Sequence, residues 1–215
     1  MIDFNGPVVV TGTDTGVGKT VATAALAWRL SRSGRSVEVL KAAQTGDDDD
    51  AGVVERLAGV PARALARYPD PLAPLSAARR SGLDPVAMDD VVAAVKGSTS
   101  DTVLVEGAGG LLVQLGRDGW TAADLASTLG CPAVVVVRSG LGTLNHTALT
   151  LEALERRGVP ASIMIGSWPA EPDLAERENL TDLPAERIAA LPEGLGSLEP
   201  GEFRERLATV GFRLS

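Results

Sequence analysis

The stretch Val8 to Thr20, VVVTGTDTGVGKT, limits what this chain can fold into more than any other part of it. Three valines in a row ask for a buried strand, and glycines at 12, 16 and 18 then break that strand into a turn. Ala- and Leu-rich sequence follows at once from Lys19, so the turn opens directly into a helix. Glycines that accept φ > 0 let successive backbone N–H groups point inward, and the helix N-terminus adds partial positive charge. Together they make a site for phosphate oxygens. On this reading Thr13, Asp14, Thr15, Gly16, Val17 and Gly18 wrap a triphosphate, Lys19 reaches its β/γ-phosphates, and the Thr20 hydroxyl faces magnesium. A dinucleotide turn is rejected, because Gly16-Val17-Gly18-Lys19-Thr20-Val21 lacks the third glycine of G-x-G-x-x-G and carries a lysine instead.

The rest of the chain supplies a frame for such a turn. Aliphatic runs recur at Pro7 to Gly12, Ser36 to Lys41, Asp101 to Gly107 and Cys131 to Ser139, with a fifth at Ala161 to Ser167. Their continuous apolar character predicts parallel strands buried on both faces. Helical segments fall between them, at Lys19 to Ser33, Met88 to Val95, Thr121 to Leu129 and Thr143 to Arg157. Alternation of this kind predicts an α/β fold: a single domain over residues 1–215, with a mostly parallel sheet flanked by helices on both faces, like P-loop NTPases. A length of 215 residues suits one core, and aromatics at 3% leave that core to Val, Leu and Ala. Two stretches stand apart. Pro61 to Pro85 holds five prolines and predicts an irregular excursion over the sheet, and the tail after Pro184 predicts one helix, Gly201 to Thr209.

Charge and cysteine content narrow the chemistry. A net charge of −8 repels nucleic acid and anionic membrane, so a polyphosphate has to be held by a local cationic pocket. No apolar run approaches the roughly 20 residues that span a bilayer, and no leader-like segment opens the sequence, so a cytoplasmic location is expected. One cysteine, Cys131, and one histidine, His146, leave no Cys/His zinc site; Cys131 reads as buried structure and His146 as a helix-packing residue. Magnesium takes one or two carboxylates beside phosphates and water. Glu106, at the end of a strand and before Gly107-Ala108-Gly109-Gly110, is one candidate, and one of Asp47 to Asp50 is the other.

The glycine turn departs from G-x4-G-K-[ST], since the leading glycine, Gly12, stands one residue early and position 13 is threonine. In this it resembles the deviant P-loop group, which includes partition ATPases and several amide-forming and cyclising enzymes. Five blocks carry a closer resemblance: GTDTGVGKT (Gly12 to Thr20), KAAQTG (Lys41 to Gly46), the Asp47 to Asp50 run, VEGAGGLLV (Val105 to Val113) and GLGTLNHTALT (Gly140 to Thr150). In order and spacing they resemble the dethiobiotin synthetases. The resemblance implies a C–N cyclo-ligase of biotin biosynthesis. Its substrates are 7,8-diaminononanoate, carbon dioxide and ATP, and Mg2+ is its metal. It implies Thr20, Asp50 and Glu106 on magnesium, with Lys41, Lys19 and Thr15 catalytic and Thr15, Lys41, Thr45 and Gly109 around the substrate. It also implies a homodimer in which Gly142, Thr143, Leu144 and Asn145, opening a helix, receive the substrate carboxylate from the neighbouring subunit.

One difference bears on the nucleotide. Members of the family that read adenine present an asparagine after the fifth strand, where this chain has Ile165-Gly166-Ser167-Trp168. Gly166 and Ser167, with Pro192, Glu193 and Gly194, are therefore expected to meet the base mainly through backbone. Relaxed nucleotide use, CTP and other triphosphates included, is expected with it. The rival class, a partition-type regulatory P-loop ATPase, carries a second lysine early in the turn, where this chain has Thr13 or Asp14.

Overall fold

The computed structural model describes residues 3–183 and 185–214, which leaves Met1, Ile2, Pro184 and Ser215 outside the described residues. In chain order the elements are β1 (Gly6–Gly12), α1 (Lys19–Arg32), β2 (Val37–Lys41), β3 (Gln44–Thr45), α2 (Asp50–Ala58), β4 (Ala62–Ala64), β5 (Arg67–Tyr68), α3 (Pro74–Ser81) and α4 (Met88–Lys96). There follow β6 (Thr102–Glu106), α5 (Ala122–Leu129), β7 (Ala133–Val137), α6 (Thr143–Glu155), β8 (Ala161–Trp168), α7 (Leu174–Asp182), β9 (Arg187–Pro192) and α8 (Pro200–Ala208).

Seven strands form one sheet in the order β4-β2-β6-β1-β7-β8-β9, and every pairing in it is parallel. Strand β1 lies at the centre with β6 and β7 on either side, so the turn that follows it emerges where the strand order reverses. Ligands of open α/β sheets bind in that crevice. All five residues of β7, AVVVV, are buried, as are all five of β6. This explains why both read as unbroken aliphatic runs and not as alternating ones.

Two apolar layers sandwich the sheet. On one face Leu26 and Leu30 of α1, Val54 and Leu57 of α2 and Phe203 of α8 pack on Val8, Val10 and Met164. On the other, Ala77 of α3, Val91 of α4, Leu125 of α5 and Leu154 of α6 pack on Val9, Val105, Val135 and Ile165. Small Ala residues of α1, at 22, 24, 25 and 27, are all buried, which lets the helix after the phosphate turn lie close to the sheet. Helix α5 starts where Thr121 and Asp124 form a reciprocal capping box.

The five expected strands are all present, and the four expected helices form within a few residues of the expected limits. The proline-rich stretch Pro61 to Pro85 is a correction: it is not irregular throughout. It contributes β4 to the sheet edge, β5 to a small sheet with β3, and α3, which Pro74 starts from its first position. A proline there gives up no helical hydrogen bond, so a run that looks hostile to helices holds one. The tail also adds β9, whose Arg187 and Pro192 hid a strand that pairs only on one side, besides the expected helix, seen here as α8.

Tyr68 fixes the excursion to the body of the protein. Its buried hydroxyl accepts from the Val86 N–H at 2.8 Å and donates to the Asp84 carbonyl at 3.1 Å. Tyr68→Phe leaves a buried N–H without an acceptor and is expected to cost about 1–3 kcal/mol. At roughly 2–4 °C per kcal/mol for a chain of this size, the loss is readable as a lower thermal midpoint.

Candidate active site

Strand register brings the polar groups together. Val10 of β1 and Lys41 of β2 both pair with Glu106 of β6, so the last residues of β2 and β6 stand side by side at the C-terminal edge of the sheet. From β1 the chain turns through residues 13–18 and enters α1 at Lys19. Gly18 caps this helix at φ 91°, with no side chain bonded to the first amides, so those amides are left for a ligand. The positive φ is one that glycine alone adopts readily.

Lys41 lies at the centre of the cluster. It is 4% exposed, and its Nζ meets Asp50 Oδ2 at 2.6 Å and donates to Glu106 Oε1 at 2.7 Å and to the Gly107 carbonyl at 3.0 Å. The Thr20 hydroxyl lies 2.9 Å from Asp50 Oδ1 and 3.1 Å from Glu106 Oε1. Lys19 Nζ donates to the Asp14 carbonyl at 2.9 Å, across the turn it belongs to. Thr20, Asp50 and Glu106 are thus three oxygen donors gathered on one spot, a set that suits magnesium when phosphates and water complete its octahedron. Among the described residues no group of three His, Cys, Asp or Glu side chains forms a metal cage, so a metal here depends on such outside ligands.

The two lysines differ electrically. Burial pushes the Lys19 ammonium down, and repulsion from Lys41 adds to it, bringing the pKa to about 8 despite the attraction of Glu106, Asp50 and Asp14. Burial also acts against charge on Lys41, but Glu106 and Asp50 outweigh it and hold that ammonium above the usual lysine range. For Asp50, burial opposes ionisation, yet the attraction and hydrogen bond of Lys41 win and keep its carboxyl below the usual range. At neutral pH the cluster therefore holds a fixed cation, Lys41, and a more easily titrated one, Lys19, beside ionised Asp50.

A cavity of about 380 Å3 opens over this cluster. Of the residues expected at the site, Thr15, Gly16, Gly18, Lys19, Thr20, Lys41, Thr45, Asp50, Glu106 and Gly109 line it. Thr13 and Asp14 lie outside, lining a neighbouring depression with Leu112 and Leu149. Val17 is buried under the turn, against Gly12. Among the four aspartates, Asp50 alone meets Lys41 and Thr20, whereas Asp49 pairs with Arg67 at 2.6 Å. Gly142, Thr143, Leu144 and Asn145, at the start of α6, do not line the cavity of their own chain, and Gly142 and Asn145 are exposed. His146 is corrected: it is exposed on α6 and packs no core, whereas Cys131 is buried as expected, and burial pushes its thiol up to about 11.

Sequence reasoning missed Gln44. It is buried, lines the cavity, and its Oε1 accepts from the Asp50 N–H at 3.1 Å, which fixes the aspartate that faces Lys41. Its place three residues after Lys41, ahead of the acidic run, was the only signal available. At the other end of the site Gly166 is buried, and a Cβ there would fall 2.0 Å from the Val17 carbonyl oxygen. A glycine at 166 is therefore required by the approach of the phosphate turn to β8, and no side chain at that position can reach a base. Ser167 is exposed beside it. Glu193 joins Pro192 and Gly194 to this region, because its N–H donates to the Trp168 carbonyl at 2.9 Å and its Oε1 accepts from the Ala170 N–H at 2.8 Å.

A central parallel strand, a glycine turn into a helix, and an acid on the neighbouring strand beside the first-turn threonine define a P-loop NTPase. Solved structures agree: a complex of the cell-division proteins MinC and MinD from Aquifex aeolicus superposes with TM-score 0.55, covering 94% of this chain and 86% of that one. At 17% identity that likeness shows the fold alone. A family model described as an AAA domain matches residues 7–197. The chain is 57% identical over 210 residues to the ATP-dependent dethiobiotin synthetase BioD of Rhodococcus erythropolis, covering 92% of each. It is 53% identical over 214 residues to that of Rhodococcus jostii, covering 94% and 93%. The chain belongs to the dethiobiotin synthetase family.

Contact at Gly166 can be probed directly. Gly166→Ala forces a methyl into the Val17 carbonyl, and the backbone shift is expected to cost about 1–3 kcal/mol of stability. Because the displaced segment is the phosphate turn, nucleotide affinity should fall with it, and calorimetric titration of the folded variant measures that loss.

Proposed function

We propose that this chain catalyses ATP-dependent dethiobiotin synthesis. One amine of 7,8-diaminononanoate adds to carbon dioxide to give a carbamate, the γ-phosphoryl group passes to a carbamate oxygen, and the second amine displaces phosphate to close the ureido ring. The observation that carries the reading is Lys41, a charged, buried ammonium at a strand end that opens onto the cavity lined by the phosphate turn.

Carbamate and γ-phosphate are both anions, so the transferring group needs clustered cations and fixed dipoles more than a strong nucleophile. In this reading the amides of Gly16, Val17 and Gly18 and the Lys19 ammonium hold the triphosphate, while the N–H groups of Thr13 and Thr15 donate to the Val136 carbonyl and to Asp14 Oδ1. Lys41 acts as a permanent cation toward the carbamate and not as a base, in keeping with its raised pKa. Incoming phosphate oxygens favour the charged form of Lys19, which burial alone disfavours. Thr20, Asp50 and Glu106 would hold magnesium, which would neutralise charge on the phosphates. Thr15, Thr45 and Gly109 bound the space for the diamine beside Lys41.

Gly142 to Asn145, at the N-terminus of α6, do not line their own cavity, in keeping with a homodimer that lends this turn to the partner's substrate carboxylate. Exposed Leu141, 88% accessible, with Leu112 and Leu149, supplies apolar surface for such pairing. Among the described residues no helix is long and apolar enough to cross a membrane. A cytoplasmic location and the absence of nucleic-acid or membrane partners are part of the same proposal, in keeping with the net charge of −8.

Incubation with 7,8-diaminononanoate, bicarbonate, Mg2+ and ATP is expected to give dethiobiotin, detected by mass; no product under any nucleotide would end the proposal. Lys41→Ala should bind nucleotide within a few-fold of wild type while turnover falls by about 10²–10³, as for loss of a transition-state donor. Wild-type turnover in that variant would remove the role given to Lys41. With only backbone at Gly166, CTP, GTP and UTP should compete with ATP, CTP especially, and a preference for ATP of orders of magnitude would show that the base is read elsewhere.

A further inference from the structure

Arg138 follows β7 directly and reaches back over the first turn of the phosphate loop. Its Nη2 donates to Asp14 Oδ2 at 2.9 Å and to the Thr15 carbonyl at 3.3 Å. Asp14 accepts in addition from the Thr15 N–H through Oδ1 at 2.7 Å, and its carbonyl accepts from Lys19 Nζ at 2.9 Å. The backbone of Arg138 is itself held, because its carbonyl accepts from the hydroxyl of buried Thr143 at 2.8 Å. The guanidinium thus extends from a fixed point to the two residues that shape the mouth of the triphosphate site.

Asp14 poses an electrostatic problem that Arg138 answers. A carboxylate on the loop that receives a triphosphate repels its ligand, and the chain as a whole, at −8, offers no compensating field. Lys41 is paired with Asp50 and Glu106 and not with Asp14. With Arg138 bonded to it, Asp14 sits on the outer face of the turn, beside Leu112 and Leu149, while Thr15 and Gly16 face the cavity. Both partners of the ion pair are about half exposed, at 52% and 51%, so its contribution to folding is small. Its effect is felt where a polyanion has to approach.

We propose that Arg138 is a positioning residue for the nucleotide: it cancels the charge of Asp14 and fixes the Asp14–Thr15 turn in the form that admits the phosphates. It touches neither the diamine nor the reacting atoms. The inference rests on the reading of the cavity as a triphosphate site.

The test is titration of MgATP into wild type and variants by calorimetry, with steady-state kinetics beside it. Arg138→Ala should weaken MgATP binding about tenfold, the scale of one charge-assisted contact, with kcat and the KM for the diamine within about threefold. Arg138→Lys keeps the charge and should stay within about threefold of wild type. Asp14→Asn added to Arg138→Ala should recover most of the loss, because asparagine keeps the acceptor for the Thr15 N–H without the charge, a coupling that general loosening of the loop would not give. Thermal midpoints should match throughout. Unchanged MgATP affinity in Arg138→Ala, a loss confined to the diamine, or a double variant as weak as the single one would each overturn the role. Should wild type make no dethiobiotin, the proposed reaction falls, while MgATP binding still decides the part played by Arg138.

Discussion

Lys41 is buried at the end of β2 because two carboxylates and a carbonyl meet it there, and the rest of the site is arranged around that fact. An unpaired ammonium in such a place would lose its proton or stay in water, since removing a charge from water costs several kcal/mol. Glu106 is brought to it by strand register and Asp50 by the start of α2, so the sheet and the acidic run have to agree before the lysine can be buried. Removal of Lys41 would leave both carboxylates without the cation they share. The cluster is in this sense a check on the fold: only the native register places β2, β6 and α2 so that all three charges are satisfied.

A second constraint lies in the backbone. The phosphate turn is held between β1 and β8, with Gly18 at positive φ and Gly166 so close to Val17 that neither position tolerates a side chain. That contact ties the phosphate end of the site to the segment carrying Ser167 and Trp168, which Glu193 ties in turn to the loop after β9. The phosphate turn and the segment expected to meet the base are thus joined through main chain packed on a sheet, a rigid arrangement suited to holding amide dipoles in place before charge develops on the ligand. Arg138 extends it by fixing the outer side of the same turn from the end of β7.

Much of this was legible beforehand. Aliphatic runs such as AVVVV and TVLVE could only be strands buried on both faces, and the glycines after VVVTG could only be a turn, because no other local structure suits those residues. Lys19, Thr20 and Glu106 were legible for the same reason, since they stand at the start or end of elements whose type is set locally. Less was legible where position depends on a distant partner. Helix α3 was hidden by prolines whose one permitted helical position, the first, is used by Pro74. Strand β9 was hidden by a sequence that makes sense only beside β8, and the exposure of His146 depends on which face of α6 meets the sheet.

The sequence by itself determined the five central strands, the four helices expected between them, the phosphate turn and the family, because these rest on residue types whose preferences act over a few positions. Only the tertiary structure decided which of four aspartates faces Lys41, that Gln44 fixes it, that Gly166 is demanded by the approach of Val17, and that Arg138 is paired with Asp14. Each of these joins residues far apart in the chain, and no local preference encodes a distance that packing and strand register have to set.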